Sequence, residues 1–162
     1  MNWCITAIIF PTPPCNWNAW TAIPIHFIAA SDMPSAYSII FVAVGGAFGS
    51  VFRYLLGTWT QTASKSLDFP YGTLTVNLLG CFAIGFLAQL AEARGVFTSE
   101  TRAFVFIGIL GGFTTFSSFG NETINLLREG ENWNALANVS ANVIFGLILV
   151  WLGRTAAYWI WR

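Results

Sequence analysis

The chain has 162 residues, of which 56% are hydrophobic and 9% are charged, and its mean hydropathy is +0.64. Since soluble domains carry about 25% charged residues, this composition predicts an all-α membrane protein and excludes an ordinary soluble domain. A net charge of zero, one histidine (His26) and three cysteines without a CxxC pair argue against nucleic-acid binding, a side-chain metal site and an enzyme.

The first 32 residues differ in composition from the rest of the chain. Residues 1–32 contain four prolines and a single charge, Asp32, and their apolar run at residues 5–10 is far too short to span a membrane. No basic region precedes that run, so it is a poor signal peptide. We therefore expect residues 1–32 to be an N-terminal extension outside the fold, with Met33 as the true start of a domain over residues 33–162. The mass of the natural protein would test this hypothesis.

Four apolar segments follow Met33, at residues 37–59, 71–91, 101–127 and 133–161. Each reaches or exceeds the about 20 residues that a membrane-spanning helix needs. A polar loop, TQTASKSLD, is predicted after the first segment, and Thr98 or Ser99 is the predicted N-cap of the third. Because the connections are short, we expect neighbouring helices to run antiparallel.

Positive charges are almost balanced between the two sides of the predicted bundle. Lys65 and Arg128 fall on one side, and Arg94, Arg102 and Arg162 fall on the other. The positive-inside rule therefore gives no strong orientation. A chain of this kind can insert both ways, which permits an antiparallel homodimer.

The first two segments contain residues that a lipid-facing helix does not need. Gly45 and Gly49 have the GxxxG spacing that lets helices approach closely, and Arg53 lies inside the same apolar segment. An arginine there faces a partner or a cavity, or it extends to the nearby interface. In the second segment, Asn77 bonds another helix or lines a pore, and the Thr73 hydroxyl can bond the backbone four residues earlier.

The third segment carries the strongest functional signal, the sequence GGFTTFSSF at residues 111–119. Adjacent Gly111 and Gly112 weaken the helix, and Thr114 and Thr115 offer hydroxyls to the freed backbone groups. Irregular backbone at membrane depth persists only where protein or a watery path surrounds it. We therefore predict that the third helix is broken mid-membrane, with carbonyls that can coordinate a small cation.

Aromatic and hydroxyl side chains follow the predicted break. Phe116 and Phe119 fall on one helical face, and the edges of their rings carry partial positive charge that can attract a small anion. Core packing is the alternative for an isolated FxxF pair. Ser117 and Ser118 favour the anion path, because a dry core gains nothing from their hydroxyls.

Further polar residues extend this predicted path. About two turns past the break, Glu122 lies at a pore vestibule or forms a salt bridge with Arg53. In the fourth segment, Asn134, Asn138 and Asn142 are spaced four residues apart and form one polar stripe. Such a stripe either bonds another helix or continues a polar track.

The sequences GGAFGSVFRY, GTLTVNLLG and GGFTTFSSF, in this order and spacing, resemble the motifs of the Fluc (CrcB-type) fluoride channels. The resemblance covers residues 33–162. It implies four helices per subunit in an antiparallel, dual-topology homodimer of the plasma membrane (the bacterial inner membrane). It also implies a passive, fluoride-selective channel that lowers cytoplasmic fluoride by export, with the lipid bilayer and a second, inverted copy as partners.

The resemblance assigns roles to individual residues. It implies that Phe116, Phe119 and Asn77 line the fluoride pore. It implies that backbone carbonyls of Gly111 and Thr114 hold a structural sodium ion at the dimer interface. It extends the pore to Thr115, Ser117, Ser118 and Asn142, and it gives Arg53 and Glu122 structural or vestibule roles.

A small multidrug-type, proton-coupled exporter is the alternative function, since it shares the four helices and the dual topology. Such an exporter needs a carboxylate inside the membrane to carry protons, and Glu122 is the single candidate. A non-transporting assembly protein is a further alternative.

Overall fold

The computed structural model describes residues 35–66, 68–95 and 97–160. The predicted extension at residues 1–32, the predicted start at Met33 and the charge of Arg162 lie outside these residues. Within them the fold is entirely helical, and four helical stretches are long and apolar enough to cross a membrane. The predicted all-α membrane class and its four spanning segments are therefore confirmed.

The described part of the chain forms five helices. Helix α1 spans Ala36–Ser64, α2 spans Tyr71–Arg94, α3 spans residues 99–113, α4 spans Phe116–Arg128 and α5 spans Asn132–Ile160. Helices α3 and α4 together make the third candidate span. Two stretches, Ala103–Leu110 in α3 and Ala141–Phe145 in α5, are wound as π-helix, a rare form that occurs frequently at functional sites.

The helix boundaries differ from the predicted ones mainly at the end of α1. Residues 60–64, predicted as loop, continue the helix, which ends where Lys65 takes a left-handed backbone conformation with φ of 52°. This last part of the helix contains Gln61. Its Nε2 donates to the carbonyls of Ser66 at 2.7 Å and Phe69 at 3.1 Å. Its Oε1 accepts from the Gly72 N–H at 3.0 Å. The loop prediction was wrong for residues 60–64, where one helical side chain satisfies the backbone of the α1–α2 connection.

The N-cap predicted for α3 is confirmed at the first of the two candidates. The Thr98 hydroxyl accepts a hydrogen bond from the backbone N–H of Thr101 at 3.3 Å. Such a bond satisfies one of the free amides of a helix N-terminus. Helix α2 ends with Gly95 in the left-handed conformation, at φ 58°.

Glycines let α1 pack directly on the backbone of α3. A methyl group on Gly45 would lie 2.6 Å from the Phe104 carbonyl oxygen, and one on Gly112 would lie 2.7 Å from the Gly46 carbonyl oxygen. Gly49 faces the backbone of Ile109 in the same way. The close approach predicted from the GxxxG spacing is therefore present, and it occurs with α3.

A second pair of helices, α2 and α5, also makes an extensive contact. Gly85 of α2 faces the backbone of Val150, and Gly153 of α5 faces the backbone of Phe82. Position numbers rise together along both α1–α3 and α2–α5 contacts, so the members of each pair run parallel. Along α2 and the third span the numbers run in opposite directions, since Gly80 faces Thr114 and Thr73 bonds Glu122. Sequential spans therefore run antiparallel, as the short connections predicted.

Candidate functional site

The third span is interrupted at two residues. Thr114 has φ −82° and ψ 157°, and Thr115 has φ −148° and ψ 112°, so both are extended between helices α3 and α4. The interruption begins two residues after the Gly111-Gly112 pair. Hydroxyl groups close both helix ends. Thr114 Oγ1 donates to the Leu110 carbonyl at 3.0 Å, and Thr115 Oγ1 accepts from the Ser118 N–H at 3.2 Å.

Asn77 of α2 holds the backbone of the interruption. Its Oδ1 accepts from the Thr115 N–H at 2.9 Å, and its Nδ2 donates to the Thr115 carbonyl at 3.3 Å. The carboxamide thus pairs with both backbone groups of one extended residue, as a neighbouring strand would. Since Thr115 is 9% exposed, these backbone groups need such partners. Asn77 therefore bonds another helix, one of the two alternatives left open by the sequence.

Two backbone carbonyls near the interruption lose their ordinary helical donors. In a regular helix the Thr115 N–H would donate to the Gly111 carbonyl and the Ser118 N–H to the Thr114 carbonyl. The Thr115 amide donates instead to Asn77, and the Ser118 amide donates instead to the Thr115 hydroxyl. Uncharged oxygens at a helix break are the ligand type that a sodium ion takes in broken transporter helices. The donor set of Gly111 and Thr114 therefore fits a hard monovalent cation.

Gly80 of α2 leaves room for the side chain of Thr114. A methyl group on Gly80 would overlap Thr114 Cγ2, and its next neighbours would be Phe113 Cδ1 at 3.5 Å and Thr114 Cβ at 3.7 Å. Gly80 lies one turn after Asn77, on the same helical face. One face of α2 therefore receives both residues of the interruption, Thr115 through hydrogen bonds and Thr114 through packing.

A chain of side-chain hydrogen bonds leads from Asn77 across α5 and back to α4. Asn77 Nδ2 donates to Asn142 Oδ1 at 3.1 Å, and Asn142 Nδ2 donates to Asn138 Oδ1 at 3.0 Å. Asn138 Nδ2 then donates to Thr123 Oγ1 at 3.0 Å, and that hydroxyl donates to the Phe119 carbonyl at 2.8 Å. We call Asn77, Asn142, Asn138 and Thr123 the amide chain. The asparagine stripe of α5 therefore bonds other helices at two of its three positions.

The third position of the stripe does not join the amide chain. Asn134 Nδ2 donates to Glu131 Oε2 at 3.2 Å, within the first turn of α5. Asn134 lies near the start of α5, one turn before Asn138. The predicted stripe is thus divided between a buried network and a helix end.

The two phenylalanines predicted for the ion path lie at the start of α4. The ring centroids of Phe116 and Phe119 are 5.5 Å apart with an interplanar angle of 54°. Phe116 is 84% exposed in a single chain, so it is not a core residue of the subunit. Ser117 is exposed and Ser118 is half-buried, and both hydroxyls lie within hydrogen-bonding distance of the Thr115 hydroxyl, at 3.3 and 3.0 Å.

Arg53 and Glu122 line one open cleft of about 680 Å³ between α1, α2 and α4, together with Thr115 and Ser118. Among the described side chains the salt bridge joins Arg154 to Glu92, and Glu122 does not pair with Arg53. Instead, the Thr73 hydroxyl donates to Glu122 Oε1 at 2.5 Å. The other carboxylate oxygen is the one buried side-chain polar atom of the described residues without a hydrogen-bond partner.

Sequence reasoning missed three of these residues or misjudged them. Thr73 was expected to bond its own helix, but its hydroxyl reaches Glu122 on α4. Thr123 gave no signal, because a threonine in a helix bonds its own backbone by default. Gly80 gave no specific signal in the sequence, because its role depends on the position of Thr114.

The fold and these polar groups define a small multi-pass membrane protein whose third span is interrupted and held by side chains of a neighbouring helix. A polar cleft opens beside the interruption. The amide chain joins three of the spans. Such an arrangement is typical of proteins that move small polar solutes or ions, because polar groups at membrane depth are otherwise too costly to retain.

Comparison with known proteins identifies the family. The family model described as CrcB-like protein, Camphor Resistance (CrcB), matches residues 40–154. The chain therefore belongs to the CrcB family. All residues of the interruption and of the amide chain lie within the matched region.

Similar proteins carry the name fluoride-specific ion channel FluC. That of Parabacteroides distasonis is 50% identical over 115 residues, which are 71% of this chain and 88% of the relative. The one from Methylobacillus flagellatus is 45% identical over 117 residues, 72% of this chain and 91% of the relative. The one from Thermus thermophilus is 46% identical over 114 residues, 70% and 88% of the two chains.

Proposed function

We propose that this chain is a fluoride-specific, passive ion channel of the plasma membrane that exports fluoride from the cytoplasm. One observation carries the proposal. Asn77 holds the backbone of an interrupted spanning helix immediately before the phenylalanine pair, in a chain whose similar proteins are named fluoride-specific ion channels. A passive channel requires a positioned polar path and no nucleotide or redox group.

The proposed ion path runs along the phenylalanine pair and the hydroxyls beside it. The edges of Phe116 and Phe119 present partial positive charge to an anion without binding it too tightly to leave. Thr115, Ser117 and Ser118 supply hydroxyls that can donate hydrogen bonds to a dehydrated fluoride ion. Asn77 and Asn142 continue the polar lining toward the bundle interior, and the cleft that contains Arg53 and Glu122 forms a vestibule.

The proposed membrane position of the interruption is mid-bilayer. Thr114 and Thr115 lie near the middle of the candidate span Ser99–Arg128. Extended backbone at this depth needs internal partners, and Asn77 supplies them to Thr115. The third helix is then broken where the ion would be most costly to solvate.

The proposed functional unit is an antiparallel, dual-topology homodimer. Residues assigned to the pore and to the cation site lie on the surface of a single chain: Phe116 is 84% exposed, and Gly111 and Ser117 are exposed. A second, inverted copy would cover them and complete the path. The balanced loop charges permit both orientations, and an isologous interface would place both interruptions near one two-fold axis.

A structural sodium ion is proposed at that axis. The carbonyls of Gly111 and Thr114 would hold it, since their ordinary helical donors bond elsewhere. Two carbonyls from each copy would give a four-oxygen set. When bound, the ion would neutralise the carbonyl dipoles at the interface and fix the two subunits together, while the residues of the chain keep the interruption in shape.

The physiological role follows from weak-acid chemistry. Neutral HF crosses lipid, dissociates in a near-neutral cytoplasm and traps fluoride there. A selective channel lets the negative membrane potential drive the anion outward, with about 2.3 kcal/mol per charge for each 100 mV. No coupling to another gradient is needed.

Fluoride efflux from liposomes that contain the pure protein tests the proposal. We expect rapid fluoride efflux when a potassium ionophore removes the charge imbalance, and none when chloride replaces fluoride. A proton uncoupler should leave the rate unchanged, whereas a proton-coupled exporter that uses Glu122 would respond to it. Liposomes that retain their fluoride under these conditions would contradict the channel function.

A further inference from the structure

We propose that Asn138 is a positioning residue of the channel, which acts through Asn142 to hold the carboxamide of Asn77 in one orientation and uses Thr123 as its anchor. The inference rests on the proposed function, because it concerns how the pore is kept in shape. Asn138 does not lie in the phenylalanine path. It is 0% exposed, so an ion does not reach it in this arrangement.

The burial of Asn138 is itself costly unless every polar atom finds a partner. Moving an amide from water into an apolar interior is unfavourable when its hydrogen bonds to water are not replaced. Asn138 avoids this cost by accepting from Asn142 and donating to Thr123. A small apolar residue would fill the same helix–helix contact at no such cost. The amide is therefore retained for what it holds in place.

The direction of the amide chain is fixed by backbone groups that cannot turn over. The Thr115 N–H donates to Asn77 Oδ1, so Asn77 Nδ2 takes the other side of the carboxamide, where it donates to the Thr115 carbonyl and to Asn142. Asn142 must then present Oδ1 to Asn77 and turn Nδ2 toward Asn138, one turn earlier on the same helix. There its two amide protons meet the Asn138 carbonyl and Asn138 Oδ1, both at 3.0 Å. Asn138 is thus the group that keeps the acceptor of Asn142 aimed at Asn77.

The anchor at the other end connects the amide chain to the helix that carries the phenylalanines. Thr123 Oγ1 accepts from Asn138 and donates to the Phe119 carbonyl. The network therefore joins Thr115 before α4 to Phe119 within it, by way of α2 and α5. Loss of the Asn138 side chain would leave Asn142 Nδ2 with the backbone carbonyl of residue 138 as its remaining partner of the two. The Asn142 carboxamide would then be held less tightly, and so would its bond to Asn77.

The test compares fluoride efflux of the full-length protein in liposomes for Asn138→Leu, which has a similar volume and no polar atoms, and Asn134→Leu. The rate of efflux reports conduction per active channel, and the extent of efflux reports how many vesicles contain a folded channel. We expect Asn138→Leu to reduce the rate roughly tenfold, the effect of losing two hydrogen bonds at the strength measured between membrane helices. Asn134→Leu, on the same helix but outside the amide chain, should keep the wild-type rate.

A second pair of variants addresses the anchor and remains informative if Asn138→Leu does not fold. Thr123→Val removes the hydroxyl at nearly constant shape and should reduce the rate, whereas Thr123→Ser keeps the hydroxyl and should restore it. The double variant Asn138→Leu/Thr123→Val should be no slower than the slower single variant, because both break the same chain. A change in the extent of efflux without a change in the rate would show a folding role and overturn the proposal.

The proposed function and this inference fail in different ways. If the wild-type protein releases no fluoride, the channel function is wrong and the positioning role falls with it. If the wild type conducts while Asn138→Leu and Thr123→Val conduct at the wild-type rate, the channel stands and the positioning role is refuted.

Discussion

Replacing Gly80 by alanine provides a sharp test of how α2 shapes the interruption. The new methyl group would overlap Thr114 Cγ2. Thr114 Cγ2 cannot rotate away freely, because Thr114 is β-branched and its hydroxyl is bonded to the Leu110 carbonyl at 3.0 Å. The substitution must therefore move Thr114 away from α2 or break this bond, and either change displaces the Thr114 carbonyl.

The magnitude follows from two opposing terms. Overpacking of a tightly packed site costs about 1–3 kcal/mol, and glycine to alanine within a helix gains about 0.5–1 kcal/mol. The net cost is thus about 0–2.5 kcal/mol, which at about 1.4 kcal/mol per tenfold change corresponds to a loss of up to about 60-fold in the native arrangement. The free energy of unfolding of Gly80→Ala should fall by no more than this net cost, and its fluoride efflux should fall clearly because the Thr114 carbonyl is displaced.

A second substitution identifies the atom responsible. Thr114→Ser removes Cγ2 and keeps the hydroxyl that bonds Leu110. In the Thr114→Ser background, Gly80→Ala should therefore have almost no further effect on the efflux rate. Efflux at the wild-type rate in the Gly80→Ala single variant would refute the reasoning, and so would an equal loss in both backgrounds.

Five further substitutions test other parts of the site and the packing beneath it. Asn77→Leu removes three hydrogen bonds at about 0.6 kcal/mol each, so the efflux rate should fall about 20-fold. An unchanged rate would show that conduction does not depend on the bonds between Asn77 and Thr115. Phe116→Ile and Phe119→Ile should each slow efflux while the dimer persists in size-exclusion chromatography, and wild-type rates in both would refute the ring-edge path. Gly49→Ala places a methyl 2.8 Å from a backbone nitrogen of α3. It should reduce the free energy of unfolding by about 1–3 kcal/mol, seen as a lower melting temperature. Gly46→Ala, whose methyl meets its first neighbour at 4.0 Å, should keep the wild-type melting temperature.

The spanning helices could be predicted from the sequence because length and hydropathy decide them. The predicted segments differ from the observed helices by only a few residues at most ends. The largest difference, at residues 60–64, arises because the polar sequence TQTAS resembles a loop. Its helical state depends on Gln61 bonding the following connection, and such a tertiary contact leaves no pattern in the local sequence.

The candidate site was predictable in its residue types and less so in its connections. Asn77, Thr115 and Asn142 were selected as polar residues in apolar segments, and the structure brings them together. For Glu122 the sequence left open a vestibule position or a salt bridge with Arg53, and it did not identify the Thr73 hydroxyl as the partner. A carboxylate accepts from an arginine or a hydroxyl alike. Which donor reaches it depends on the rotation of α2 against α4, and hydropathy does not determine that rotation.

The interruption of the third span is specified jointly by its own sequence and by α2. Gly111 and Gly112 lower the cost of leaving the helix, but weak helix propensity alone would leave buried backbone groups unpaired. Asn77 bonds both backbone groups of Thr115, and Gly80 admits the side chain of Thr114. Because these two residues of α2 are one turn apart, a single helix face fixes both the hydrogen bonding and the packing of the interruption. The proposed ion path therefore depends on the rotation of α2 as much as on the motif that carries the phenylalanines.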